Sequence, residues 1–178
     1  MKLEALNRRD RYAGYSLISI AAHWTTAILV TALLLLRQDD VRPIHVGIGL
    51  IAAPVLLFHA WWRFRRGFPR VPDQPALLNL VARLVQIGFL LSILAGVAAG
   101  LLIPPLAGEP LTFFGLLELG IPSIDYPPAL VFFKQVHAVA GYAFVPLLAL
   151  HILFAAKHAI IDKDALIWRM LKPVRGGH

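Results

Sequence analysis

Four long apolar blocks, near residues 16–36, 43–62, 77–103 and 130–156, leave this chain few ways to fold. Each supplies the roughly 20 helical residues that cross a hydrocarbon core of about 30 Å. The blocks are too long for strands and show no alternation of apolar and polar residues, so a β-barrel is disfavoured. Hydrophobic residues make up 58% of the 178, too many for a surface that meets water. The expected fold is therefore all-α, an integral membrane four-helix bundle forming a single domain over residues 1–178. Pro43 fits the first turn of the second helix, where its missing N–H costs nothing. Pro104 and Pro105 are expected to close the third helix, and Pro54 and Pro146 are candidate kinks. The first apolar run has no small-residue cleavage site, so it reads as a span rather than a cleaved leader.

The formal charge of +7 would suit nucleic acid, but its placement speaks for a membrane instead. Lys2, Arg8, Arg9 and Arg11 precede the first block. Arg63, Arg65, Arg66 and Arg70 fill the second connection, with Arg83 just beyond, and Lys157, Lys163, Arg169, Lys172 and Arg175 follow the fourth block. The opposite side holds only Arg37, Arg42 and Lys134, offset by Asp39, Asp40, Glu109, Glu118 and Asp125. By the positive-inside rule both termini are cytoplasmic, in a multi-pass protein of a bacterial inner membrane. The third connection, about residues 104–128, is expected to be a compact extracytoplasmic cap or a short interfacial helix. The partners implied are the lipid bilayer and no nucleic acid.

Histidine within a spanning segment is expensive and marks a site by default. His23, His45, His59, His137 and His151 all lie in or at the edge of the apolar blocks. His137 and His151 are separated by about 21 Å along one helix and about 40° around it, so one face carries both. Depth matching pairs His45 with His137 on the extracytoplasmic side. On the cytoplasmic side His151 can meet His23, and His59 is a rival for that place. Such pairs suit the axial positions of two b-type haems. The absence of cysteine excludes iron–sulfur clusters and covalent haem attachment. His45 and His137 are each followed four residues later by a glycine, Gly49 and Gly141, which leaves room for a porphyrin edge. His158 reads either as a solvated helix-end histidine or as a quinone or propionate contact. Arg63, with Arg65 and Arg66, suits propionates or anionic headgroups. Lys134, one turn before His137, either anchors its helix or draws an anionic donor inward. Gly96 and Gly100 form a G-x-x-x-G that serves packing within the bundle or a homodimer contact.

The ordered set of these residues resembles the bacterial cytochrome b561 family, within the wider group that includes hydrogenase cytochromes b. The resemblance rests on Arg11-Tyr12, Ala22-His23-Trp24, Ile44-His45-Val46 with Gly49, and Trp61-Trp62-Arg63. It continues through Phe114-Gly115, Ile121-Pro122, Val136-His137, Gly141-Tyr142, Leu150-His151, His158, Asp162 and Arg169-Met170. Two departures stand out: Arg83 and Gln86 replace a histidine common early in the third helix, and His59 replaces a common arginine. The resemblance implies His23 rather than His59 as the partner of His151. It also implies two haem b groups and electron transfer between ubiquinone and an extracytoplasmic donor, with superoxide the donor in some members. Two other readings fit the same composition. One is an anchor subunit linking a peripheral dehydrogenase or hydrogenase, or another redox protein, to the quinone pool. The other is a haem-free membrane transporter or scaffold.

Overall fold

The structure is a computed structural model and describes residues 15–67, 74–163 and 166–171. The basic and motif residues Lys2, Arg8, Arg9, Arg11, Tyr12, Arg70, Lys172 and Arg175 lie outside these. Four helices dominate: α1 (Leu17–Leu35), α2 (Arg42–Arg66), α3 (Ala76–Leu106) and α4 (Pro127–Lys157). All four are long and apolar enough to span a membrane. A 3-10 turn (Asp39–Val41) joins α1 to α2, and a small antiparallel hairpin of β1 (Thr112–Phe113) and β2 (Leu117–Glu118) lies between α3 and α4. A π-helical turn (His158–Asp162) and the short α5 (Leu166–Arg169) follow α4. The end of the bundle bearing β1 and β2 is called here the hairpin end.

Local chemistry sets the helix limits. Ser16 caps α1, its Oγ accepting from the Ser19 N–H at 3.2 Å. Pro43 occupies the first turn of α2, as expected. That helix runs one turn beyond Trp62, because Arg63, Arg65 and Arg66 are good helix formers that favour the negative end of the helix dipole. It stops at Gly67, whose φ of 77° would strain a side-chain-bearing residue. The expected stop at Pro104 is corrected: α3 continues through Pro104 and Pro105 to Leu106. Proline removes a donor but not an acceptor, and the last carbonyls of the helix are used by the following loop. The Pro105 carbonyl accepts from Ile124 N–H at 2.7 Å and the Leu106 carbonyl from Tyr126 N–H at 3.0 Å. The fourth helix starts at Pro127 rather than near 130, with Pro127 and Pro128 in its first turn. The connection before it is a compact cap built on a hairpin, not a helix.

Packing between the helices is uneven. The antiparallel pair α3 and α4 is in close contact along much of its length, α1 lies on α2, and α2 lies on α3. Residues four apart on α3 form a small-residue stripe, Gly88, Ser92, Gly96 and Gly100, and its glycines face α4. A Cβ at Gly88 would sit 3.0 Å from Leu147, and one at Gly96 would sit 3.9 Å from the Ala140 Cβ. The G-x-x-x-G is thus used within the bundle. Val30, Ala52, Leu56 and Ile93 form a buried core where α1, α2 and α3 meet, with Phe144 of α4 packed against it. Elsewhere α4 stands off from α1 and α2. Only 6% of its most apolar window is buried, against 22–28% for the other spans. The face of α4 that carries His137 and His151 therefore looks across a gap.

Candidate haem sites between the fourth helix and the first two

Two pairs of imidazoles span that gap. His45 of α2 faces His137 of α4 with ring centroids 5.9 Å apart and planes at 80°. His23 of α1 faces His151 of α4 at the same 5.9 Å, with planes at 55°. Two imidazoles on opposite sides of one metal ion should have centroids roughly 6.2 Å apart. That follows from a metal–nitrogen bond of about 2.0 Å and about 1.1 Å from ring nitrogen to centroid. Contact packing gives similar spacings, as at Phe58–Trp61 (5.8 Å), so the distinguishing feature is that both pairs bridge α4 to helices it otherwise scarcely touches. No cluster of three or more His, Cys, Asp or Glu occurs among the described residues. Two nitrogens alone suit a metal whose remaining donors come with it, as the porphyrin supplies to haem iron.

The hairpin-end pair is held from behind. His45 Nδ1 donates to the Leu36 carbonyl at 3.0 Å and His137 Nδ1 donates to the Gly96 carbonyl at 2.9 Å. A carbonyl only accepts, so both Nδ1 atoms carry the proton, which leaves the Nε2 lone pairs for a metal. This backing fixes tautomer and ring orientation, as it does for metal-bound histidines generally. Gly100 makes it fit, because a Cβ there would lie 3.1 Å from His137 Cε1. Around the pair opens a cavity of about 810 Å³, with Gly49 and Gly141 in its wall. A Cβ at Gly141 would meet nothing within 4 Å, and one at Gly49 only Leu33 at 3.9 Å. Both glycines border open space rather than packed protein, so this chain's residues fit a flat macrocycle held between His45 and His137.

The opposite pair is enclosed by aromatic rings. Trp24 lies edge-on to His23 at 5.4 Å, and Phe89 edge-on to His151 at 5.7 Å. Phe89 also meets Phe144 at 4.7 Å, which closes the bundle midway between the two pairs. His59 is directed elsewhere: its Nδ1 is 2.8 Å from the Thr26 hydroxyl of α1. Arg63 lies over the Tyr15 ring at 5.7 Å, while Arg65 and Arg66 fold back over Trp61 and Trp62 at 5.3 Å. Lys134 is exposed on the first turns of α4 and lies outside the cavity wall. His158 corrects the reading of a solvated helix end. It is only 4% exposed, and its Nδ1 lies 3.0 Å from Asp162, which also binds Lys157 at 2.5 Å. Asp162 stands four residues after His158, the spacing that brings side chains together on one helix face, so this contact was available from the sequence.

Several contacts around these sites escaped the sequence reading. The Phe114 ring of the hairpin packs on Gly47, two residues past His45, and a Cβ at Gly47 would fall 2.5 Å from its Cγ. Phe114 itself has φ 54°, unfavourable for a bulky residue, in the turn whose Leu116 N–H bonds the Phe113 carbonyl. Arg42 and Glu109 form an ion pair at 2.6 Å that ties the cap to the start of α2. Gln86 Oε1 is buried with no protein partner among the described residues. The glycine at Gly47 was the available signal, since His45-Val46-Gly47 places a missing side chain beside a ligand candidate.

Comparison with known proteins agrees with this geometry. The family profile described as Prokaryotic cytochrome b561 matches residues 14–173. The protein named cytochrome b561 homolog 2 of Escherichia coli (strain K12) is 27% identical over 170 residues, covering 88% of this chain and 90% of that protein. With four spanning helices and a profile match over nearly its whole length, this chain belongs to the prokaryotic cytochrome b561 family, the membrane b-type cytochromes of electron transfer.

Proposed function

We propose that the chain is a di-haem electron carrier. In this reading His45 and His137 would hold one haem b, and His23 and His151 a second. Electrons pass between an extracytoplasmic donor, superoxide among the candidates, and ubiquinone. The observation that supports this most directly is the repeated 5.9 Å separation of facing imidazoles, each pair bridging α4 to a helix it scarcely touches. When bound, each haem would supply a one-electron iron couple. The hairpin end is extracytoplasmic, both termini are cytoplasmic, and the protein resides in the inner membrane as a single domain.

The residues divide the remaining work. The Leu36 and Gly96 carbonyls accept from Nδ1 of His45 and His137, so these rings stay oriented with Nε2 toward the gap. Gly49 and Gly141 provide flat walls. Phe89 and Phe144 exclude water between the two sites. Lys134 attracts an anionic donor toward the hairpin end, and its exposure leaves it free to do so. His158, oriented by Asp162, is the candidate quinone contact on the cytoplasmic side, where it can hold or release a proton at a ring nitrogen.

Purified protein tests the reading through its reduced-minus-oxidised spectrum and pyridine haemochrome. A b-type α band with two haems per chain is expected. Folded protein without haem, or with one haem that survives loss of either pair, refutes it. Rapid mixing with superoxide and with ubiquinol then identifies the donor and acceptor.

A further inference from the structure

Two guanidinium groups, those of Arg37 and Arg42, reach the wall of the hairpin-end cavity, and they are not equivalent. Arg42 is neutralised by Glu109 at 2.6 Å. Arg37 has no carboxylate in ion-pair distance among the described residues. Its guanidinium lies over the Tyr142 ring at 5.3 Å. Asp39, the nearest acidic residue in sequence, belongs to the next turn and makes no ion pair with it.

The level at which Arg37 sits matters. Tyr142 starts about 7.5 Å farther along α4 than His137. Its side chain, like any on a helix, leans back toward the helix N-terminus. The guanidinium over that ring therefore lies close to the level of the His45–His137 pair, although Arg37 itself follows the end of α1 and is exposed. A cation against a mostly apolar wall is best satisfied when an anion meets it. The Tyr142 ring offers a cation–π contact, which is weaker than a charge-assisted hydrogen bond. The planar fork of Arg37 is thus free to take a carboxylate or phosphate in bidentate fashion.

We propose that Arg37 binds a propionate carboxylate of the haem held by His45 and His137. The proposal rests on the di-haem reading above and adds to it the anionic edge of the ligand. Haem b carries its two carboxylates on one edge, and in a bilayer that edge faces the headgroups. Arg37 follows the last turn of α1, at the same end of the bundle. Its charge offsets the propionate and thereby favours the reduced, more electron-rich iron. Arg37 acts on the potential as well as on retention of the haem.

Potentiometric titration of the holoprotein, following the α band of each haem, is the test. His45→Ala, which keeps only the other haem, identifies which wave belongs to the hairpin end. Arg37→Gln is expected to retain both haems and to lower the hairpin-end midpoint by a tenfold change in the reduced-to-oxidised ratio, ~59 mV for one electron. The other haem stays at its wild-type value, and Arg37→Lys recovers most of the shift. Unchanged potentials, or equal shifts of both haems, overturn the proposal. The same titration in detergent and in nanodiscs of anionic lipid separates the two anion sources. A shift that persists in detergent supports the propionate. One that appears only with anionic lipid assigns Arg37 to a headgroup phosphate and overturns it. Wild-type protein lacking two b haems would instead refute the di-haem reading itself.

Discussion

Gly141→Ala distinguishes a macrocycle site from a mere gap between helices, because the two give effects of opposite sign. In the protein without haem the new Cβ meets nothing within 4 Å. Replacing glycine by alanine inside a helix then stabilises by about 0.5–1 kcal/mol. For a domain of this size that raises the melting temperature by roughly 1–4 °C. With haem bound, the same methyl enters the volume the flat ring needs. Overpacking of a filled site costs about 1–3 kcal/mol. Haem affinity then falls roughly 5- to 150-fold, at about 1.4 kcal/mol per factor of ten. Gly49→Ala should follow the same pattern, since its Cβ would approach only Leu33 at 3.9 Å. The assay is circular-dichroism melting of protein expressed with and without haem precursor, together with haem per chain. If Gly141→Ala keeps two haems and stabilises the loaded and haem-free proteins equally, no macrocycle lies against α4 at this position.

His45→Ala or His137→Ala should each remove one haem, and His23→Ala or His151→Ala the other, as read by pyridine haemochrome. His59→Ala should keep both, and loss of a haem there would make His59 the ligand in place of His23. Gly47→Ala should destabilise by about 1–3 kcal/mol, because its Cβ would fall 2.5 Å from Phe114 Cγ. In a Phe114→Ala background the same change should become neutral or stabilising, which a double-mutant melting cycle measures. Gly100→Ala should tilt His137 and lengthen its bond to the Gly96 carbonyl, visible as altered electron paramagnetic resonance of the oxidised hairpin-end haem only. Arg42→Gln, at a pair whose side chains are 47% and 50% exposed, should cost no more than about 1 kcal/mol by chemical denaturation.

The spans and the facing of His45 by His137 were legible because both follow from the rise and turn of a regular helix. Fourteen residues between His137 and His151 fix their depth and direction whatever the neighbours are. Errors arose where regularity breaks. Pro104 and Pro105 look like a stop, yet the carbonyls of Pro105 and Leu106 are taken by Ile124 and Tyr126 of the loop, contacts about twenty residues away that local rules do not see. Pro127 and Pro128 were the opposite case, since their fit to a first turn was available from the sequence and was assigned to the loop instead. His158 was misread although its partner Asp162 stands at the i,i+4 spacing that a helix reading offers. The choice between His23 and His59 could not come from depth. It turns on which face of α1 and α2 meets α4, and the Thr26 hydroxyl that holds His59 gives no periodic signal.

The uneven packing of α4 gains a physical reason when the two sites are considered together. An apolar helix in lipid gains little from hydrophobic contact with its neighbours, so close packing and polar contacts must hold it. On one side α4 has both, through the glycines of α3 and the bond from His137 to the Gly96 carbonyl. On the side facing α1 and α2 it has mainly two histidines, each with its ring centroid 5.9 Å from that of its partner. Two bis-histidine haems would therefore tie α4 to α1 and to α2 as well as carry electrons. Loss of one haem should loosen only the end of the bundle that held it, with faster amide exchange on α2 near His45 or on α1 near His23. Uniform loosening of all four helices would mean that protein packing, not the histidine pairs, sets where α4 stands.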